Sequence, residues 1–198
     1  MSNTPILRVL ANASIACSML LQPAVTSAES SPMSSIQPTL NQSHVDALKL
    51  AFPTRPVPRP IAIAGAYDSD DISRDFSVAT TDMVGDESIY QNRTALGAFT
   101  PAAFEVLFPK YLEYVVRHPK SEVTEKVAHF LVYSSPTDTR LVRDRLDRLS
   151  MEQLQTVAQV LSGVANAVRN KERHLAMAVE DACEALRAYE KERLGRTT

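Results

Sequence analysis

FTPAAFEVLFPKYLEYVVRH, Phe99 to His118, carries the clearest helix start in the chain and its densest run of aromatic residues. Thr100 is placed to cap a helix, and Pro101 at the first helical position forfeits no hydrogen bond. Phe99 and Phe104 have the spacing of a hydrophobic staple. Phe104, Leu107, Phe108, Tyr111 and Val115 then follow at helical period, which marks a helix facing a core. Pro109 interrupts that pattern. It lacks an N–H and disfavours helical geometry at Phe108, so a kink or break is expected there, with a second helix over Lys110 to Arg117.

Helical signals continue toward the C-terminus. Ser121 is placed to cap a helix whose inner face is Val123, Val127, Phe130 and Leu131. After a break at Ser135-Pro136-Thr137-Asp138, Arg140 to Leu149 turns Val142, Leu146 and Leu149 inward. Its charged residues, Arg140, Arg143, Asp144, Arg145, Asp147 and Arg148, are read as a solvated outer face with Arg140/Asp144 and Arg143/Asp147 pairs. Ser150-Met151-Glu152-Gln153 is a capping box. Leu154, Val157, Ala158, Leu161, Val164, Ala165 and Val168 keep helical period after it. Leu175, Ala178, Val179, Ala182, Leu186 and Tyr189 stripe a last helix over Lys171 to Leu194, which Gly195 can end. These two segments form either an antiparallel pair turning near Arg169 to Lys171 or one long helix.

The N-terminal side is different. Met1 to Ala28 has one cation, Arg8, no acid, and a mostly apolar run from Val9 to Leu21, which reads as a signal peptide, residues 1–28. Residues 29–42, rich in Ser, Pro and Gln, read as a disordered linker. The helical domain is then residues 43–194, opening with a short helix, His44 to Phe52, capped by Ser43. PTRPVPRP, Pro53 to Pro60, holds the chain extended and is read as a stiff connector wrapping the domain. Ile61 to Ala64 allows one short strand ended by Gly65. Asp86 to Ala98 is expected to be helical.

Composition bounds the function. The 198 residues carry a net charge of -2, giving no electrostatic case for nucleic acid. Five glycines form neither a GxGxxG nor a P-loop pattern. The two cysteines, Cys17 and Cys183, allow no disulfide framework once the leader is removed. Cys183 reads as a small buried hydrophobe. The histidines, His44, His118, His129 and His174, include no i, i+4 pair and no HExxH, and there is no GxSxG. No cofactor or metal is implied.

Asp68 to Glu87 stands out: seven acids against Arg74, a local net of -6. Asp68, Asp70 and Asp71 imitate the start of a calcium loop, but the sixth position is Ser73 rather than Gly and the twelfth is Ala79 rather than Glu. Asp68, Asp70, Asp71 and Asp75 are therefore read as an acidic surface for a basic partner, or as residues that cap helices and turns.

DALKLAF (Asp46 to Phe52), the acidic segment with Phe76, FTPAAF (Phe99 to Phe104), FPKYLEY (Phe108 to Tyr114) and Leu149 to Leu154 occur in an order that resembles a family of small bacterial proteins defined only as a domain of unknown function. Ala102 and Phe108 stand where that pattern has Glu and Leu. The resemblance implies a compact, mostly helical domain and transfers no catalytic residue.

The expected fold is mostly α, a compact bundle-like domain with at most one short strand. The leading functional expectation is an exported, periplasmic or secreted, non-catalytic protein-binding module, with an immunity- or inhibitor-like role as one form of it and no membrane segment after cleavage. The alternatives are a hydrolase pairing Asp68 to Asp75 with His118 or His129, and a dimerisation module built on the last helix. If the N-terminus is not a signal peptide, the chain is expected in the cytoplasm.

Overall fold

A computed structural model describes residues 40–132 and 136–196; the stretch read as a signal peptide and most of that read as a linker lie outside the described residues. The described residues form eight α-helices: α1 (Leu40–Ala51), α2 (Ser69–Asp75), α3 (Asp86–Gln91), α4 (Pro101–Arg117), α5 (Glu122–Leu131), α6 (Pro136–Leu146), α7 (Met151–Val168) and α8 (Arg173–Arg196). The fold is mostly helical, as the hydrophobic spacing predicts.

α4 is the hub. Thr100 Oγ1 accepts the Ala103 N–H at 3.3 Å and Pro101 opens the helix, as its sequence requires. Ten of its residues are buried, from Ala103 to Val116, and α1, α3, α5, α6 and α7 pack around it. The expected break at Pro109 does not occur: α4 runs through it to Arg117. Burial on nearly every side supplies more stabilisation than the lost hydrogen bond removes.

Aromatic packing divides into two clusters along α4. Phe99 meets Phe76 edge-on at 5.3 Å and Tyr111 at 6.0 Å. Phe104 stacks on Phe108 at 4.6 Å and touches Phe130 at 5.4 Å. Both staple residues are thus buried, each with its own partners.

The capping box at α7 forms in full: Ser150 Oγ accepts the Gln153 N–H at 3.1 Å, and Gln153 Oε1 accepts the Ser150 N–H at 2.9 Å. α7 and α8 are separate helices. Arg169 pairs with Glu180 at 2.6 Å, Cys183 lies 3.9 Å from the Ala158 carbonyl, and Arg193 donates to the Leu149 carbonyl at 2.6 Å. Those contacts run in opposite directions along the two helices, so the pair is antiparallel. α8 continues through Gly195 to Arg196, so Gly195 does not end it.

Several boundaries move. α1 starts at Leu40, inside the stretch expected to be linker, and Ser43 lies within it; Gln42 donates to Asp46 one turn on at 2.8 Å. α6 starts at Pro136, a residue suited to a first turn. Ser121 occupies the cap position of α5 without a side-chain cap bond. Asp86 to Ala98 divides into α3 and a 3-10 turn, Ala95–Gly97. In place of a strand at Ile61 to Ala64 there is one isolated bridge, Ala62 to Phe99; a second joins Pro56 to Thr80. The proline run does wrap the domain. Val57 is buried and donates to the Ala79 carbonyl at 3.1 Å, and Thr81 donates to the Arg55 carbonyl at 2.9 Å.

The largest departure is Arg145. The sequence reading puts it on the solvated face of α6, but it is only 2% exposed. Its guanidinium donates to the carbonyls of Leu141 at 2.9 Å, Gly97 at 2.8 Å and Phe99 at 2.5 Å. The expected partners of its neighbours also change: Arg143 pairs with Glu192 at 2.5 Å, and the Tyr189 hydroxyl donates to Asp147.

Burial sets an alkaline limit. Tyr111 is fully buried and its hydroxyl donates to the Asn92 carbonyl at 2.6 Å. Desolvation pushes its pKa well above the ordinary value of 10.0. Tyr189 is raised as well, by burial and then by its bond to Asp147. A phenol that ionises more readily unfolded than folded costs nothing below the unfolded pKa. Above it the native state holds the extra proton, and stability falls as pH rises. Above about pH 10 the unfolding free energy should therefore drop by about 1.4 kcal/mol per pH unit through Tyr111 alone. Urea melts at stepped pH check this; Tyr111→Phe should flatten the slope.

Candidate functional site

The four sequence-predicted aspartates sit on one ledge, and the fold separates their roles. The ledge starts where the chain leaves the Ala62–Phe99 bridge. The Ile63 N–H donates to the Ala98 carbonyl at 2.8 Å, which ties it to the segment entering α4. Gly65 then takes φ 79, a left-handed conformation that suits glycine. Asp68 takes φ 56, also left-handed, where aspartate is enriched among non-glycine residues. α2 follows and is pinned by buried Ile72 and Phe76.

Asp68 stands at the cap position of α2, yet its side chain makes no cap bond. The capping role that the sequence allows is thus not used there. Asp70 lies in the first turn, where a carboxylate complements the helix dipole. Neither forms an ion pair among the described residues, and both are exposed. Asp71 pairs with Arg74 at 2.8 Å. Asp75 is a structural residue: Asn92 Nδ2 donates to it at 3.0 Å, and the Asn92 carbonyl takes the Tyr111 hydroxyl.

The sequence allows Tyr67, like Tyr90, Tyr111, Tyr114 and Tyr133, as an amphipathic contact but makes a core face the default, and at the front of this ledge that default fails. Tyr67, immediately before Asp68, is 89% exposed. It borders a groove of about 380 Å³ that runs between α2 and the 3-10 turn, past Asp68, Ile72, Asn92 and Ala95. The arrangement is an exposed aromatic beside two unpaired carboxylates, on backbone fixed at both ends.

The histidines are placed elsewhere. His118 Nε2 lies 3.3 Å from Asp86, which also takes both guanidinium nitrogens of Arg117 at 2.6 and 2.9 Å. His129 and His174 border a shallow cleft with Glu125 and Glu172, which contains none of the four aspartates. The groove beside the ledge contains no histidine. Among the described residues, no group of three or more His, Cys, Asp or Glu is arranged to hold a metal ion. Cys183 is buried and its thiol pKa is raised by that burial, the opposite of nucleophile activation.

Among the described residues no helix is long and apolar enough to cross a membrane. No protein-family model, curated protein or solved structure matches this chain.

Proposed function

We propose that this chain is an exported, non-catalytic protein-binding module, immunity- or inhibitor-like in character, that meets a basic partner through the ledge at Tyr67, Asp68, Asp70 and Asp71. The exposure of Tyr67 beside two carboxylates without ion pairs carries the reading. Tyrosine is a common interface anchor, since it combines large contact area with a polar tip and few rotors. Unpaired carboxylates around it favour a partner that presents Lys or Arg and speed its approach. Backbone held by the Ile63–Ala98 bond and by Phe76 needs little ordering on binding.

The test compares captures from the host's envelope and culture medium with the wild-type chain and with Tyr67→Ala/Asp68→Asn/Asp70→Asn. A partner lost by the triple variant, and released from the wild type by raised salt, supports the ledge. A partner retained by that variant overturns it. Asp68→Gly separates function from folding. Glycine relieves the left-handed backbone, so thermal stability should hold or rise by up to about 1 kcal/mol while binding weakens.

The burial pattern of α8 supports core packing over a dimer seam for its apolar stripe. Ala176, Val179, Ala182 and Cys183 of α8 are buried within the chain itself, where α8 packs on α7 and α5.

A further inference from the structure

A groove of about 510 Å³, formed by α1, α7 and α8, shares no residue with the ledge. Its volume lies within the usual range for ligand sites. Its long wall is a stripe of uncharged polar side chains, Gln155, Gln159, Ser162 and Asn166 of α7. They recur at steps of four, three and four, so they share one helix face. At the helical rise the stripe is about 16 Å long. Arg187 and Glu190 border it from α8, and His44 borders it from α1.

The fold leaves these polar groups unused. Among the described residues the four side chains of the stripe make no hydrogen bond. Arg187 and Glu190 form no ion pair there either, although they stand three apart on α8, a spacing that allows one. Amides elsewhere behave differently. Those of Gln42, Gln91, Asn92 and Gln153 all donate within the protein, at 2.6 to 3.0 Å. One oxygen of Glu190 is buried and has no hydrogen-bond partner among the described residues, a state that is costly to leave uncorrected.

The lining also selects a class of ligand. The charges of Arg187 and Glu190 balance, so neither an anion nor a cation finds a net attraction. Ala158 and Gly163 are the apolar part of the lining, so no pocket receives a large apolar side chain or an acyl chain. What remains is dense hydrogen bonding of both kinds. Each amide offers donors and an acceptor, Ser162 offers both, Arg187 donates and Glu190 accepts. A row of hydroxyl groups, each giving and taking a hydrogen bond, matches that set. His44 adds one flat surface. Its ring sits over Gly163, where a Cβ would lie 2.5 Å from Cε1 and 2.6 Å from Nε2, so only glycine admits the imidazole to this seat.

We infer that this groove binds a neutral oligosaccharide laid along α7. Its hydroxyls bond to Gln155, Gln159, Ser162 and Asn166. Arg187 and Glu190 hold one sugar unit from the α8 side, and a ligand hydroxyl supplies the donor that the Glu190 carboxylate lacks. The apolar body of the His44 ring lies against the C–H face of a sugar.

The test titrates neutral linear oligosaccharides of glucose, of mannose and of N-acetylglucosamine into the full chain, with an acetylated and amidated tripeptide as the rival ligand. The readout is the side-chain amide resonances. At least one sugar should shift those of Gln155, Gln159 and Asn166 saturably and leave those of Gln42 and Gln91 in place. Gln159→Ala, at an exposed position without a hydrogen-bond partner, should weaken binding by roughly fivefold, the usual worth of one neutral hydrogen bond. Gly163→Ala should weaken it too, by driving the His44 ring from its seat. Only the end of a flexible side chain has to move there, so the fold should hold. Response to none of the sugars, an equal or stronger response to the tripeptide, or full affinity in both variants would overturn the assignment. The ledge variants should leave this titration unchanged, so failure here is distinguishable from failure there.

Discussion

Arg145→Met is expected to lower the unfolding free energy by about 3 kcal/mol, within bounds of roughly 2 to 5. The guanidinium is buried, and it holds the carbonyls of Gly97 and Phe99 just before α4 begins. Methionine fills similar volume and removes the cost of burying a charge. It offers no donor, however, so the Phe99 carbonyl, buried with its residue, is left without the one that reaches it from α6. An unsatisfied buried carbonyl costs about 1 to 3 kcal/mol, and the bond across to the 3-10 turn is lost with it. Domains of this kind have roughly 5 to 15 kcal/mol in total, so the change should be plain in a urea melt. Arg145→Lys should recover only part of the loss, because a single ammonium does not match the spread of a planar fork. Arg140→Met, exposed on the same helix, should stay within about 0.5 kcal/mol. Equal melts for the Arg145 and Arg140 variants would mean that Arg145 does not clamp the two segments.

That residue also marks the limit of what the sequence shows. Position 145 is three residues from Val142 and four from Leu149, so spacing alone puts it on the inner stripe. Its charge argues for the outside, against that spacing. Only the folded chain brings the carbonyls at 97 and 99 to α6, and no local pattern in α6 signals their arrival. Where a signal is local, the reading is reliable. Thr100-Pro101 and Ser150 to Gln153 specify their own caps, and the stripes of α5 and α7 follow from helical period alone. Pro109 is the converse case: its local effect is real, but burial of α4 on nearly every side outweighs it. At the ledge, the acidic run is legible as charge. Its division into exposed Asp68 and Asp70, paired Asp71 and structural Asp75 depends on Arg74 one turn along α2 and on Asn92, which only the fold brings to Asp75.

Phe99→Ala is expected to cost about 3 to 5 kcal/mol and to loosen the ledge in particular. The ring is fully buried, and its edge contacts with Phe76 and Tyr111 add about 0.5 to 1.5 kcal/mol each beyond area burial. Phe76 closes α2, and the backbone of residues 61–63 is hydrogen-bonded on either side of Phe99, through Thr100 to Ile61 and Ile63 to Ala98. A cavity at Phe99 therefore removes the support beneath Tyr67 and Asp68 as well as core packing. Phe104→Ala is the comparison. It should lose a similar total, since Phe104 is equally buried and stacks on Phe108, but its partners lie on α4 and α5, away from the ledge. Native-state hydrogen exchange distinguishes the two. Phe99→Ala should speed exchange at Ile63 and Ile72 by more than the global loss explains, whereas Phe104→Ala should change those amides only in step with global stability. If both variants speed them alike, Phe99 supports the whole core and has no special role under the ledge. A selective effect would mean that the rigidity of the proposed contact surface comes from one aromatic side chain at the entrance to the central helix.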